Sequence, residues 1–212
     1  MYSSYTSDIW KAAAVDNPAR VLRTSQGANV YAYRFDWDEE PKIMGADLSI
    51  ILGAAHGLEI PFVFNTDKAG FTGAYTNSAK NSEGRTMLAN AMSSYWTEFA
   101  YSGSPGKGRD GRQVEWKPWN DDTADSEKLI IFDTPQDKGI RVSSYSITLE
   151  TVKKRLVAET GFESQENHCQ LYVELFGDLK SDRSYLELWN DQEYESLGRE
   201  GCRNYPRETF FR

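Results

Sequence analysis

Apolar and polar positions along the 212 residues alternate between helical and strand periods. Residues 3–22 are rich in helix formers around Lys11, Ala12, Ala13 and Ala14 and are broken by Asn17 and Pro18, which predicts a helix, a corner and a short second helix. Residues 30–35 alternate strictly, with Tyr31, Tyr33 and Phe35 on one face and Val30, Ala32 and Arg34 on the other, the clearest strand signal in the chain. The run Asp36 to Pro41 closes that strand, and residues 45–64 follow as an apolar stretch punctuated by Gly53, Gly57 and Pro61. Between residues 83 and 103, Leu88, Ala91, Met92, Tyr95, Trp96 and Phe99 fall on one helical stripe that should be buried. Ser82 is the predicted cap of that helix, and Gly103, Pro105 and Gly106 its stop.

Downstream, apolar runs at residues 129–132 and 140–142 are split by residues 134–139 and fit a hairpin or two successive strands. Helices are predicted at residues 147–159, capped behind by Gly161, and at 164–176, ended by Gly177; the tail to Arg212 is polar and aromatic without a decisive period. The order of elements mixes helix and strand without a complete βαβ series, an α/β composition.

Charge and composition exclude several functions. The chain carries 24 basic and 32 acidic residues for a net charge of −8, which disfavours nucleic acid as a partner, since gripping phosphates needs clustered Lys and Arg. Aromatic residues reach 13% and charged residues only 26%, against the composition of a disordered chain. No run approaches the length of a membrane span, and residues 1–10 have neither the basic nor the apolar region of a signal peptide. Compartment is left open, because any leader would stand upstream. Cys169 and Cys202, 33 positions apart, allow one bridge; paired they suit a periplasmic setting, reduced they suit the cytosol equally.

Only two histidines are available as a base near neutral pH. His168, within a predicted helix beside Cys169, reads as structural or exposed. His56 lies on a glycine-bounded loop before an apolar segment, a place where a histidine either satisfies a backbone contact or does chemistry. No metal site or cofactor is predicted: neither histidine has a partner at zinc-helix spacing, and Asp36, Asp38, Glu39 and Glu40 lack the glycine and distal Glu of a calcium loop and read as a solvated strand end. Gly103-Ser-Pro-Gly-Lys-Gly has the wrong spacing for a phosphate loop and reads as a turn. Trp116, Trp119 and the tyrosines suit a core or interface better than a sugar-stacking face.

Several segments, taken in order, resemble the type B carboxylesterases, the cholinesterase-like branch of the α/β-hydrolases. The strand Val30-Tyr-Ala-Tyr-Arg-Phe is followed by Gly53-Ala-Ala-His-Gly-Leu-Glu-Ile-Pro-Phe-Val-Phe, similar to the family's histidine loop. Met92-Ser-Ser-Tyr-Trp-Thr-Glu-Phe-Ala-Tyr-Ser-Gly-Ser-Pro-Gly, Trp116-Lys-Pro-Trp and Leu129-Ile-Ile-Phe-Asp resemble its C-terminal helix, tryptophan turn and late strand. The likeness is clearest over residues 5–160 and implies the C-terminal part of an α/β-hydrolase sheet with covering helices, incomplete without upstream strands. It implies His56 as the general base of a Ser-His-acid triad acting on small carboxylic esters, and Glu59 of the His-Gly-Leu-Glu pattern as a buried acid behind it that is not the triad acid.

The departures are as informative. No G-x-S-x-G nucleophile elbow and no glycine-rich oxyanion loop occurs, and only 55 residues precede His56. The resemblance therefore implies an esterase whose serine and acid belong to an upstream portion, with this chain inactive alone; a non-catalytic, cholinesterase-like binding or adhesion module is the alternative.

Overall fold

The computed structural model describes residues 2–27, 29–66, 77–177 and 185–211. They form two compact units, residues 19–145 and a second made of residues 1–18 with 146–212.

The unit of residues 19–145 is built on a three-stranded sheet. β1 (Tyr33–Phe35) pairs in parallel with β4 (Leu129–Phe132), and β4 pairs antiparallel with β5 (Arg141–Ser143), in the order β1-β4-β5. The two apolar runs after residue 128 are therefore a hairpin, with a 3-10 turn at Pro135–Asp137 between its strands. β1 is shorter than its alternation predicts, pairing with β4 over three residues only. Beyond that ladder, the Val30 carbonyl instead accepts the Trp119 amide at 2.7 Å. A parallel pair cannot be closed by a tight turn. The crossover from β1 to β4 contains the long helix α5 (Ser82–Ser102), so one βαβ unit is present. Ahead of it stand a two-residue-per-strand hairpin, β2 (Lys42–Ile43) and β3 (Ala46–Asp47), and two single-turn helices, α3 (Leu48–Ile51) and α4 (Ile60–Val63).

The core of this unit is aromatic. Every residue of β4 is buried, and Leu88, Ala91, Met92 and Tyr95 of α5 are buried with it. Tyr33 meets Trp96 edge-on at 5.1 Å and Trp116 at 6.2 Å, while Phe35 meets Phe62 at 5.1 Å. Such edge-to-face contacts are worth about 0.5–1.5 kcal/mol each beyond area burial. Phe99, expected on the buried stripe, is 48% exposed; it lies in the last turn of α5, where its ring still touches Tyr31 at 5.8 Å. Asn81, and not Ser82, is the capping position of α5, its amide donating to the Glu39 carbonyl at 2.8 Å. Gly103 ends the helix in the left-handed conformation, φ +77°, returning its amide to the Phe99 carbonyl, and Gly103 to Gly108 form a turn.

In the other unit, α1 (Tyr2–Lys11) runs on through a π-helical turn, Ala12–Asp16, to Asn17 and Pro18, the first two residues of α2 (Asn17–Gln26), replacing the predicted corner; the rest of α2 belongs to the unit of residues 19–145. Pro18 cannot donate to the carbonyl four residues back; the preceding turn widens so that the Asn17 amide bonds to Ala12, and the helix survives. Asp16, fully buried, is held by Lys11 at 2.5 Å and by the Ile147 amide at 2.7 Å. Helices α6 (Leu149–Ala158) and α7 (Gln165–Phe176) are capped by Thr148 and Ser164, whose hydroxyls accept amides three residues on. The tail folds back as 3-10 turns and α8 (Asp191–Glu195), packing Tyr194, Leu197 and Tyr205 against α7. A Cβ on Gly177 would lie 2.5 Å from the Trp189 ring, so this close approach requires glycine.

The bridge left open by the sequence is formed: Cys169 of α7 is bonded to Cys202 of the tail, both buried. His168 beside it is structural, its ring stacked on Phe162 at 4.3 Å and its Nε2 2.8 Å from the Leu156 carbonyl, with burial holding its pKa below the usual value.

Closing a loop of this length removes about 3–4 kcal/mol of unfolded-chain entropy. Replacing both cysteines by serine, or adding reductant, is expected to lower the melting temperature. In hydrogen exchange the amides of residues 165–176 and 191–205 should speed up by at least tenfold, while those of β4 keep their protection.

Candidate active site

The loop that presents His56 is shaped by its glycines. After α3, Leu52 and Gly53 return their amides to the Leu48 carbonyl, and Gly53 takes φ +49°. The Leu58 amide then closes on the Ala55 carbonyl at 3.1 Å, which puts His56 and Gly57 at the two centre positions of a tight turn. Gly57 sits at φ +87°, a conformation that the third position of such a turn demands and that a side chain would strain. Behind the turn, Leu58 and Phe62 are buried, Phe62 between the rings of Phe35 and Trp37 at 5.1 and 5.0 Å. The apolar half of the sequence Leu58-Glu-Ile-Pro-Phe thus anchors the loop, and His56 stands exposed at its tip.

Glu59, expected to be buried, is half-buried. Its Oε1 accepts from the Tyr33 hydroxyl at 3.5 Å, tying the histidine loop to β1. Burial first, and the Glu59 charge second, raise the Tyr33 pKa, which keeps the phenol protonated as the donor.

Beside the loop opens a cleft of about 450 Å³ lined by Asp36, Ser49, Gly53, Ala54, Asp133 and Arg141 among others. Asp36 follows β1 and Asp133 follows β4, so the cleft lies at the carboxyl ends of the two parallel strands, where ligands of open α/β sheets bind. Gly53 and Ala54 bring the wall of the cleft within two residues of His56. Arg141 spans the acids, 3.0 Å from Asp133 and 3.6 Å from Asp36, and Arg34 grips Asp36 through two nitrogens at 2.6 and 2.5 Å.

The acidic run at residues 36–40, read from sequence as a solvated strand end, is partly built into the structure. Glu39 accepts from the Thr134 hydroxyl, and burial raises its pKa. Asp38 is raised by desolvation and then by Asp137, Asp133 and Asp36, and one carboxylate oxygen each of Asp38, Glu39 and Asp137 lie within 4.8 Å of one another. Glu40 is 5% exposed, and desolvation, only partly offset by its own backbone amide and the Trp37 side chain, pushes its pKa up to about 7. Asp133, Asp137 and Arg141 were not singled out from the sequence. Their signal was the position of Asp133 directly after a continuous apolar strand, which gains meaning only once that strand is known to lie parallel to β1.

The carboxylesterase family model matches residues 2–148. The chain belongs to the carboxylesterase family. That family has the α/β-hydrolase fold, and the helices and small mixed sheet of this chain are consistent with a partial α/β domain. The match takes in the whole histidine loop, the cleft and α5, and ends at the residue that caps α6.

Glu40 gives a measurable pH dependence of stability. A carboxyl that titrates near 4.5 when unfolded and near 7 when folded binds its proton more tightly in the folded state; stability is full below about pH 4.5 and falls as pH rises through 7. Glu40→Gln removes that loss. The variant should melt within about 1 °C of wild type at pH 4.5 and be more stable by on the order of 1–3 kcal/mol at pH 8, as read by thermal denaturation across that range.

Proposed function

We propose that this chain supplies the general base, His56, of a serine carboxylesterase whose nucleophilic serine, triad acid and oxyanion loop lie in an upstream portion of the protein. The observation that carries the reading is the position of His56: within the matched family region, on a glycine-shaped tip, beside a cleft at the carboxyl ends of β1 and β4. An imidazole suits the task because its pKa lies near working pH, so the same ring takes and returns a proton.

In this reading His56 accepts the proton of the serine hydroxyl as that oxygen attacks the ester carbonyl. It then gives the proton to the departing alkoxide, leaving an acyl-serine. Water, deprotonated by the same ring, attacks the acyl carbon, and the proton returns to the serine as the carboxylic acid leaves. Glu59 acts as a positioning residue: its contact with Tyr33 holds the loop against β1 and so sets where the ring stands. The substrates are small carboxylic esters.

The 212-residue chain alone should hydrolyse p-nitrophenyl butyrate no faster than its His56→Ala variant. Turnover by the isolated chain that a serine-directed phosphonate blocks would overturn the proposal. Joined to the upstream portion, the wild type should hydrolyse the ester, and His56→Ala should lower kcat by at least about 10³-fold with KM little changed.

A further inference from the structure

Residues 149–212 lie beyond the carboxylesterase match and contain both cysteines of the chain. The segment that carries Cys202 has little structure of its own. Among the described residues from 185 onward it offers the five residues of α8 and two 3-10 turns, each too short to persist alone. What holds it is contact with α7. Gln165 of α7 is given over to the tail: its Nε2 donates to the Leu197 carbonyl at 2.7 Å and lies 3.4 and 3.7 Å from the sulfurs of Cys169 and Cys202, while its Oε1 accepts the Arg199 amide at 3.2 Å. Cys169, Leu197 and Cys202 are all buried beneath this contact.

The tail is packed here without slack. A Cβ on Gly198 would stand 2.6 Å from Gln165 Oε1 and 3.0 Å from His168 Nδ1, and one on Gly201, directly before Cys202, would overlap the Glu195 carbonyl. Two separate thiols need more room than one S–S bond, and a close-packed interior makes such room only by moving a whole segment. In the reduced chain that segment is residues 197–202, which lift from α7, uncover Leu197 and break the Gln165 contacts. The docked tail and a pair of thiols therefore exclude one another.

Burial also decides the order of events. With the tail docked, neither sulfur is open to a disulfide in solution, so the bond is made while the tail stands away from α7. One cysteine thiolate attacks a sulfur of the external disulfide and expels the first of its two thiolates. The other cysteine thiolate attacks the resulting mixed disulfide, forms the Cys169–Cys202 bond and expels the second. The two cysteine protons pass to solvent, and the external disulfide takes up the two electrons. We infer that the C-terminal unit is an oxidation-dependent module: it completes its fold only after exchange with an external disulfide, and the protein matures in a compartment that supplies one. The reducing thiol pool of a cytosol instead holds the open tail as two thiols. His56 and its cleft take no part in this step.

The test unfolds the 212-residue chain in urea with dithiothreitol, removes both, and refolds it without air in the presence or absence of a glutathione redox pair. Part of each product is alkylated and weighed, and the rest is digested with trypsin, which meets Arg199 and Arg203 on the exposed surface of the tail. With the redox pair the chain should lose the mass of two hydrogens and take up no alkyl group. Its cleavage at the two arginines should be at least tenfold slower than that of the product refolded without it, which should carry two alkyl groups. Amide exchange of β4, in the unit without cysteine, should be the same in both. Cys169→Ala/Cys202→Ala should be cut at one rate whether or not the redox pair is present. The chain exported to a bacterial periplasm behind an added leader should match the oxidised product, and the chain kept in the cytosol the reduced one. Equal trypsin resistance of the reduced and oxidised products, a redox effect of the same size in the double variant, β4 exchange that follows the oxidation state, or a periplasmic chain with two free thiols overturns the inference.

Discussion

The parallel pairing of β1 with β4, clad on one side by aromatic rings, is the contact on which the rest of the larger unit depends. It brings Tyr33 and Phe35 opposite Ile130 and Phe132 and packs them against Trp96, Trp116 and Phe62. Because parallel strands need a long crossover, this pairing obliges residues between them to make α5, and α5 fills its buried stripe from the same aromatic cluster. It also sets two carboxyl ends side by side. Asp36 and Asp133 meet Arg141 there only because their strands run in the same direction, and the cleft beside the histidine loop follows from that.

Charge in this region is balanced at close range. Two arginines hold Asp36 and Asp133, whereas Glu40 is buried with no cation against it among the described residues, and its desolvation favours the neutral acid. Polar groups left in this way are a known cost of functional regions, which trade stability for the placement of charge. The second unit solves a different problem. Its helices are short and its tail is polar, so the core is completed by rings from both, Tyr172, Trp189 and Tyr194, and fastened by the Cys169–Cys202 bond.

Much of this was readable in the residues themselves. The strict alternation at 30–35, the helical stripe of α5 and the glycines Gly103 and Gly177 that end helices are local signals, set by side-chain period and backbone conformation over a few residues, whereas Glu159, and not Gly161, ends α6. The motif around His56 belongs to the same class: glycines before and after the ring, then an apolar anchor, are a property of the chain over twelve positions. Where local reasoning erred, a neighbour had intervened. Pro18 was absorbed by a widened turn, the cap of α5 fell on Asn81, whose side-chain amide reaches the Glu39 carbonyl, and β1 was shortened where the Val30 carbonyl turns to Trp119 instead of β4.

Tertiary structure alone decided which distant groups share a site. The burial of Glu40, the meeting of Asp36 with Asp133 and Arg141, the contact of Glu59 with Tyr33 and the choice of hairpin for residues 129–143 join positions separated by up to about a hundred residues, and no period or motif encodes such a distance. The exposure of residues 43–52 is of the same kind. An apolar sequence announces that it will be buried, but only the folded chain shows which apolar side chains its own core leaves uncovered, because burial is a property of the space around a residue and not of the residue.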